Sequence, residues 1–265
     1  MKTAILASLS VAAVAAVSPA THAAPLLVDF GDSTGYVGSN TPANADGFVT
    51  GDQTFVGMGP GDRVAVSDVF GTTVTVDQGR NGGSSGDTVN TPSNRTPTAV
   101  GDTAGPGIFG TELTEDSLQS FVDSDVPADT FRAPVGAQIE GLPAGQYVAY
   151  IVAHYGGNLD QTMRVFAGVL DDQEDFSAGD LTFLDALTAT NTATWQDGNN
   201  YSRINFTLAD GEEFHLLVDD PTVGSPSDNT TMTSLQIYQI PEPASLALLG
   251  LGGLTMLAGR NRRRA

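Results

Sequence analysis

Apolar and polar residues alternate along several short stretches of the chain. Ile204-Asn205-Phe206-Thr207-Leu208 and Thr73-Val74-Thr75-Val76 do so strictly, Phe214-His215-Leu216-Leu217-Val218 approximately, and Leu235-Gln236-Ile237 over one period. A period of two places one side-chain set on each face of an extended strand, so these stretches predict half-buried β-strands. Gln146 to Ala153 is almost continuously apolar, the pattern of a central strand buried on both faces. Thr162 to Leu170 is predicted to pair with it across Gly156-Gly157-Asn158. Clusters of Gly, Pro, Asn and Asp separate these runs and supply turns. Only Thr114 to Val122 reads as helical, with Thr114 as a possible N-cap. Many short strands without alternating helices predict an all-β chain with one antiparallel, jelly-roll-like β-sandwich. Gln78 to Gly107 is rich in Gly, Ser, Thr, Asn and Pro and predicts a long surface loop.

Composition narrows the function. The 265 residues include 31 acidic and 11 basic side chains, a net charge of −20. Such a surface repels phosphate backbones, which argues against a nucleic-acid partner. The absence of cysteine removes disulfides, thiolate metal sites and cysteine nucleophiles together. The apolar fraction of 40% is enough for one core and too high for a wholly disordered chain.

Both ends depart from the strand pattern. Met1-Lys2 precedes an apolar run from Ala4 to Val17, which Pro19 breaks, and small residues follow through Ala24. A positive start, a short apolar stretch and a small-residue cleavage site make a secretory signal peptide, residues 1–23, cut after Ala23. At the other end, Pro241-Glu242-Pro243 precedes an apolar stretch from Ala244 to Ala258 and then Arg260, Arg262, Arg263 and Arg264. As a helix that stretch would span only about 22 Å, a short and weak membrane anchor. The arginines would hold the tail at the cytoplasmic face. Between the ends, residues 24–240 carry 30 acidic groups against 6 arginines and no lysine. That surface stays solvated, repels its own copies and favours divalent cations.

The C-terminal residues 241–265 resemble the PEP-CTERM sorting signal of Gram-negative and related bacteria: a Pro-Glu-Pro motif, a short membrane helix and an Arg-rich tail, in that order. The resemblance implies an exosortase as partner, transient anchoring in the inner membrane, loss of the tail, and delivery to the cell surface or extracellular matrix. Ile139 to Gly157 and the following Met163 to Val169 resemble the turn and strands of galactose-binding-like and malectin-like jelly-roll modules. Together these point to a non-catalytic exported protein associated with polysaccharide. A structural matrix component without a discrete ligand is the plainer alternative.

Three clusters are candidate sites. Thr194 to Tyr201 sets Trp195 and Tyr201 beside Asp197, Asn199 and Asn200. Sugars stack their apolar faces on aromatic rings while amides and carboxylates take their hydroxyls, so these five are carbohydrate-contact candidates. The competing reading makes Trp195 a cover for the core. Asp171, Asp172, Glu174 and Asp175 form a dense carboxylate run that could hold calcium through oxygen ligands, or simply be a solvated turn. Phe30-Gly31-Asp32-Ser33 resembles the first block of GDSL-type serine esterases, where the serine is the nucleophile. A serine needs a base in reach, and this chain lacks that family's Asp-x-x-His block; only His215 follows a carboxylate, Glu212, at that spacing, inside a predicted strand. His154 and His215 share no metal-ligand spacing and read as satisfied strand histidines.

Overall fold

The computed structural model describes residues 24–31, 34–59, 62–78, 98–100, 113, 117–121, 135–153, 162–171, 176, 179–188, 193–219 and 229–241. In chain order the strands are β1 (Leu26–Phe30), β2 (Val37–Gly38), β3 (Gln53–Thr54), β4 (Val56–Met58), β5 (Arg63–Val69), β6 (Thr72–Asp77), β7 (Thr98–Val100) and β8 (Ser117–Phe121). They continue with β9 (Val135–Glu140), β10 (Gly145–Val152), β11 (Thr162–Leu170), β12 (Phe183–Thr188), β13 (Ser202–Leu208), β14 (Glu213–Asp219), β15 (Asn229–Met232) and β16 (Ser234–Ile240). A short helix, α1 (Pro42–Ala45), stands between β2 and β3 among the described residues. The five-stranded sheet runs β13-β10-β16-β1-β4 and the six-stranded sheet β12-β11-β14-β9-β6-β5. Pairing is antiparallel within both except between β1 and β4. From β9 onward the chain passes repeatedly between the two sheets, as a jelly roll requires.

Alternation decides what fills the space between the sheets. Val28, Tyr147, Ala149, Ile151, Leu235 and Ile237 from one sheet meet Val76, Ile139, Val165, Phe214, Leu216 and Val218 from the other, all buried. Aromatic rings bridge the layers: Phe206 stacks on Phe214 with centroids 4.2 Å apart and on Tyr147 at 5.3 Å. Offset ring pairs of this kind add to plain burial of area.

β10 is apolar on both faces for a structural reason. Tyr147, Ala149 and Ile151 face the inter-sheet core, while Val148, Tyr150 and Val152 face a second buried layer. That layer is built by residues 34–55, which cross the outer face of the five-stranded sheet and bring Tyr36, Ala43 and Phe55 onto it. A buried polar network fastens the crossing. Gln236 Nε2 donates to Gln53 Oε1 at 3.1 Å, Tyr238 donates to the same oxygen, and the Ala43 N–H donates to Gln236 Oε1 at 3.3 Å.

Three sequence expectations fail here. β10 and β11 do not pair: they lie in different sheets, β10 between β13 and β16, β11 between β12 and β14. With both edges of β10 occupied, no ladder position is left for β11; Gly156, Gly157 and Asn158 lie outside the described residues. Over Ser117–Phe121 the helix expected from Thr114 to Val122 is replaced by β8, which pairs with β15 and β7; Thr114 to Asp116 and Val122 lie outside the described residues. Pairing on both edges satisfies its backbone groups and overrides a weak local helical period. β7 also falls inside the stretch expected to be loop, whose other residues beyond Gln78 lie outside the described residues.

Candidate functional site

The loop before β13 is held by its own amides. Asn200 is fully buried; its Oδ1 accepts from the Gln196 N–H at 2.8 Å and its Nδ2 donates to the Thr194 carbonyl at 3.0 Å. The Gly198 N–H closes the turn onto the Tyr201 carbonyl at 2.9 Å, and Gly198 adopts φ 73°, a region glycine enters freely. Asp197 is exposed and its Oδ1 accepts from the Arg203 N–H at 2.9 Å. Partial burial, then the nearby Asp185 carboxylate, push the Asp197 carboxyl above the usual aspartate value, against the hydrogen bond that lowers it.

Trp195 is half-buried. Its ring meets Tyr201 edge-on with centroids 6.3 Å apart, and its Nε1–H donates to Asn40 Oδ1 at 3.0 Å. Tyr201 is buried, and desolvation first, then the Asp197 charge, push its hydroxyl up to about 12. Of the five candidates, Trp195, Asp197 and Asn199 reach the surface, whereas Asn200 and Tyr201 shape the loop from beneath.

Residues 34–55 contribute groups that the sequence pattern did not single out for this surface. Tyr150 donates its hydroxyl to Asp46 Oδ2 at 2.7 Å, Arg203 Nε lies 3.1 Å from the same oxygen, and the guanidinium sits 6.0 Å from the Tyr150 ring centroid. Burial first, then the Asp46 hydrogen bond, raise the Tyr150 hydroxyl above its ordinary value. The Tyr150 hydrogen bond chiefly raises Arg203. No sequence signal joins Asp46 to Arg203; strand order brings them together. Nearby, a groove of about 540 Å³ is walled by Ala24 and Pro25, by Phe48, Val49 and Thr50, and by Gln239 and Pro241.

Asp171 is exposed just past β11, while Asp172, Glu174 and Asp175 lie outside the described residues. Among the described residues, no three or more His, Asp or Glu side chains gather as a metal site. Ser33 is likewise outside them. His215 lies on β14, fully buried, with its ring 4.6 Å from that of Phe176, in the sheet opposite to β1. His154 is not among the described residues.

Pro241 is exposed and follows the last residue of β16 directly. Glu242, Pro243, Arg260, Arg262, Arg263 and Arg264 lie outside the described residues. Residues 239–264 match the family model of the PEP-CTERM protein-sorting motif. This is an exported protein that carries a PEP-CTERM motif. No helix among the described residues is long and apolar enough to cross a membrane; the apolar Ala244–Ala258 stretch follows them. No curated protein matches the chain.

The sandwich is similar to solved structures at low identity. The CBM36-1 domain of a multidomain xylanase from the hindgut metagenome of Trinervitermes trinervoides is 10% identical, covering 64% of this chain and 99% of that one, with a TM-score of 0.30. The xylan-binding module CBM15 is 12% identical over 69% of this chain and 100% of that one, with a TM-score of 0.31. The secreted serine protease VesC from Vibrio cholerae is 11% identical over 72% of this chain and 29% of that one, with a TM-score of 0.25. Likenesses at these scores assign no ligand to this chain.

Proposed function

We propose that the PEP-CTERM protein is a non-catalytic polysaccharide-associated component of the cell surface or extracellular matrix. Its signal peptide, residues 1–23, is removed on export. The tail after Pro241-Glu242-Pro243 holds residues 24–240 at the inner membrane until an exosortase processes it. One observation carries the polysaccharide reading: Trp195 is fixed at both its polar and its apolar edge yet stays half-open at the surface. A ring held in place loses little freedom on stacking against a sugar. Exposed Asp197 beside it offers a carboxylate for hydroxyl groups, while Asn199 donates its Nδ2 to Gln196 Oε1 at 3.0 Å and braces the loop. The placement of His215 supports a non-catalytic reading over an esterase built on Ser33, since a buried imidazole under Phe176 is a poor general base for a serine that follows β1.

Affinity electrophoresis of the processed protein through acidic and neutral polysaccharides tests this. Retardation by one polymer, lost in a Trp195→Ala variant that keeps its fold, supports a binding surface. Loss of retardation with chelator brings in calcium, with Asp171, Asp172, Glu174 and Asp175 as its first candidates. Retardation by no polymer leaves a structural matrix component as the better reading.

A further inference from the structure

The sorting motif begins without a spacer. Ile240, the last residue of β16, is still paired with Gln146 on β10, and Pro241 comes next. Pro241 itself lines the 540 Å³ groove. The facing wall is Phe48, Val49 and Thr50 from the segment that crosses the five-stranded sheet. Phe48 leaves 37% of its surface exposed, one of the few large apolar side chains to do so among the described residues. Its ring is held against Tyr238 at a centroid distance of 5.1 Å. The third wall is Ala24 and Pro25, because β1 runs antiparallel to β16 with Leu26 opposite Ile237. The start of the exported chain and the start of the sorting motif therefore meet at one pole of the sandwich.

An enzyme that grips an extended peptide holds several residues, and three residues span only about 10 Å. A protein that seizes Pro241 to Pro243 must come against this pole before it can close on the motif. We infer that the groove is the seat on which the membrane-embedded processing enzyme rests, with Phe48 and Val49 as its apolar contact. This rests on the reading that an exosortase cuts the tail. The enzyme's matching surface is then apolar, since Phe48, Val49, Ala24 and Pro25 supply much of the wall and no charged side chain among the described residues lines it. The domain is part of the recognised substrate, and recognition extends beyond the Pro-Glu-Pro motif.

The test uses the full precursor in a bacterium that carries an exosortase, with pulse-labelling and mass spectrometry to follow loss of the tail. Phe48→Asp, and separately Thr50→Arg at an exposed position, are expected to slow processing about tenfold while the melting temperature of the exported protein stays close to that of wild type for Thr50→Arg. Eight Gly/Ser residues inserted between Ile240 and Pro241 are expected to slow it as well, since the motif leaves its seat. Normal processing of both point variants, or faster processing of the insertion variant, overturns the inference. A Glu242→Ala precursor separates the two levels. If it is not processed while the groove variants are, only the groove is wrong. If it is processed normally, the exosortase reading falls and the groove assignment with it. Loss of polysaccharide retardation in Phe48→Asp with unchanged processing also overturns the inference and gives the groove to a glycan.

Discussion

Trp195 Nε1 donates to Asn40 Oδ1 at 3.0 Å across a sequence separation of 155 residues. That bond ties the loop before β13 to the segment covering the five-stranded sheet and helps fix the indole of the proposed polysaccharide surface. Asn40→Ala removes the acceptor from an exposed position and is expected to cost about 0.5–1 kcal/mol of stability. The larger effect falls on binding, because a freed indole must be ordered on contact. Retardation in a polysaccharide gel should fall several-fold in Asn40→Ala and vanish in Trp195→Ala. Unchanged retardation in both would show that the ring is only a cover.

The buried amides beneath residues 34–55 make a sharper stability prediction. Gln236 is fully buried; it accepts from the Ala43 N–H and donates to both Gln53 and Tyr238. Gln236→Leu leaves these groups short of partners in an apolar setting and is expected to destabilise by about 2–4 kcal/mol. Urea unfolding measures this. A cost below about 1 kcal/mol would mean that the covering segment is not fastened through Gln236.

Asp219 predicts a pH dependence. It is fully buried on β14, and Arg164 Nε donates to its Oδ1 at 2.7 Å while Nη2 bonds its other oxygen. Desolvation nonetheless raises its carboxyl above the usual aspartate value, and the Arg164 hydrogen bond and charge lower it in part. An acid that holds its proton more firmly when folded contributes stability at pH below its unfolded value. That contribution is lost as pH rises through the folded value. Carbon-13 carboxyl titration should place Asp219 above the usual aspartate value. Arg164→Gln should move it further up and widen the window in which stability falls with rising pH. A titration at or below the ordinary value would refute the dominance of desolvation.

Gly141 sits in the turn between β9 and β10 with φ 79°, and a Cβ there would lie 2.8 Å from the Thr73 carbonyl oxygen. Gly141→Ala adds strain against backbone in a left-handed conformation and is expected to cost about 1–3 kcal/mol, read as a lowered thermal midpoint. Gly198→Ala, with φ 73° and open space around it, should cost less. Equal losses would show that conformation alone, without the clash, sets the cost.

Much of the sandwich was legible in the residues. The period-two stretches at Thr73, Ile204, Phe214 and Leu235 all fall within strands β6, β13, β14 and β16, because alternation is a local property that a half-buried strand must have. Thr114 to Val122 misled for the opposite reason. Its period is local, whereas the ladder that makes Ser117–Phe121 a strand comes from β7 and β15, the latter more than a hundred residues away. Asn40, Asp46 and Arg203 were invisible as partners of the Trp195 loop, since nothing in a chain records which surface segment crosses which sheet.

The sequence by itself determined the sorting motif at residues 239–264 and much of the strand content of the core. A Pro-Glu-Pro motif, an apolar stretch and an Arg-rich tail form a linear signal that needs no tertiary context, and residues 239–264 match the sorting motif accordingly. Strand content follows from the same one-dimensional pattern. Tertiary structure alone decided that β10 and β11 part company between two sheets, that residues 34–55 close over Tyr150 and Tyr238, and that Pro241 emerges beside Ala24 and Phe48. Those outcomes depend on which buried faces and ladder edges are left to satisfy once the other strands are placed. That competition is settled only among all strands together, so no single stretch contains its result.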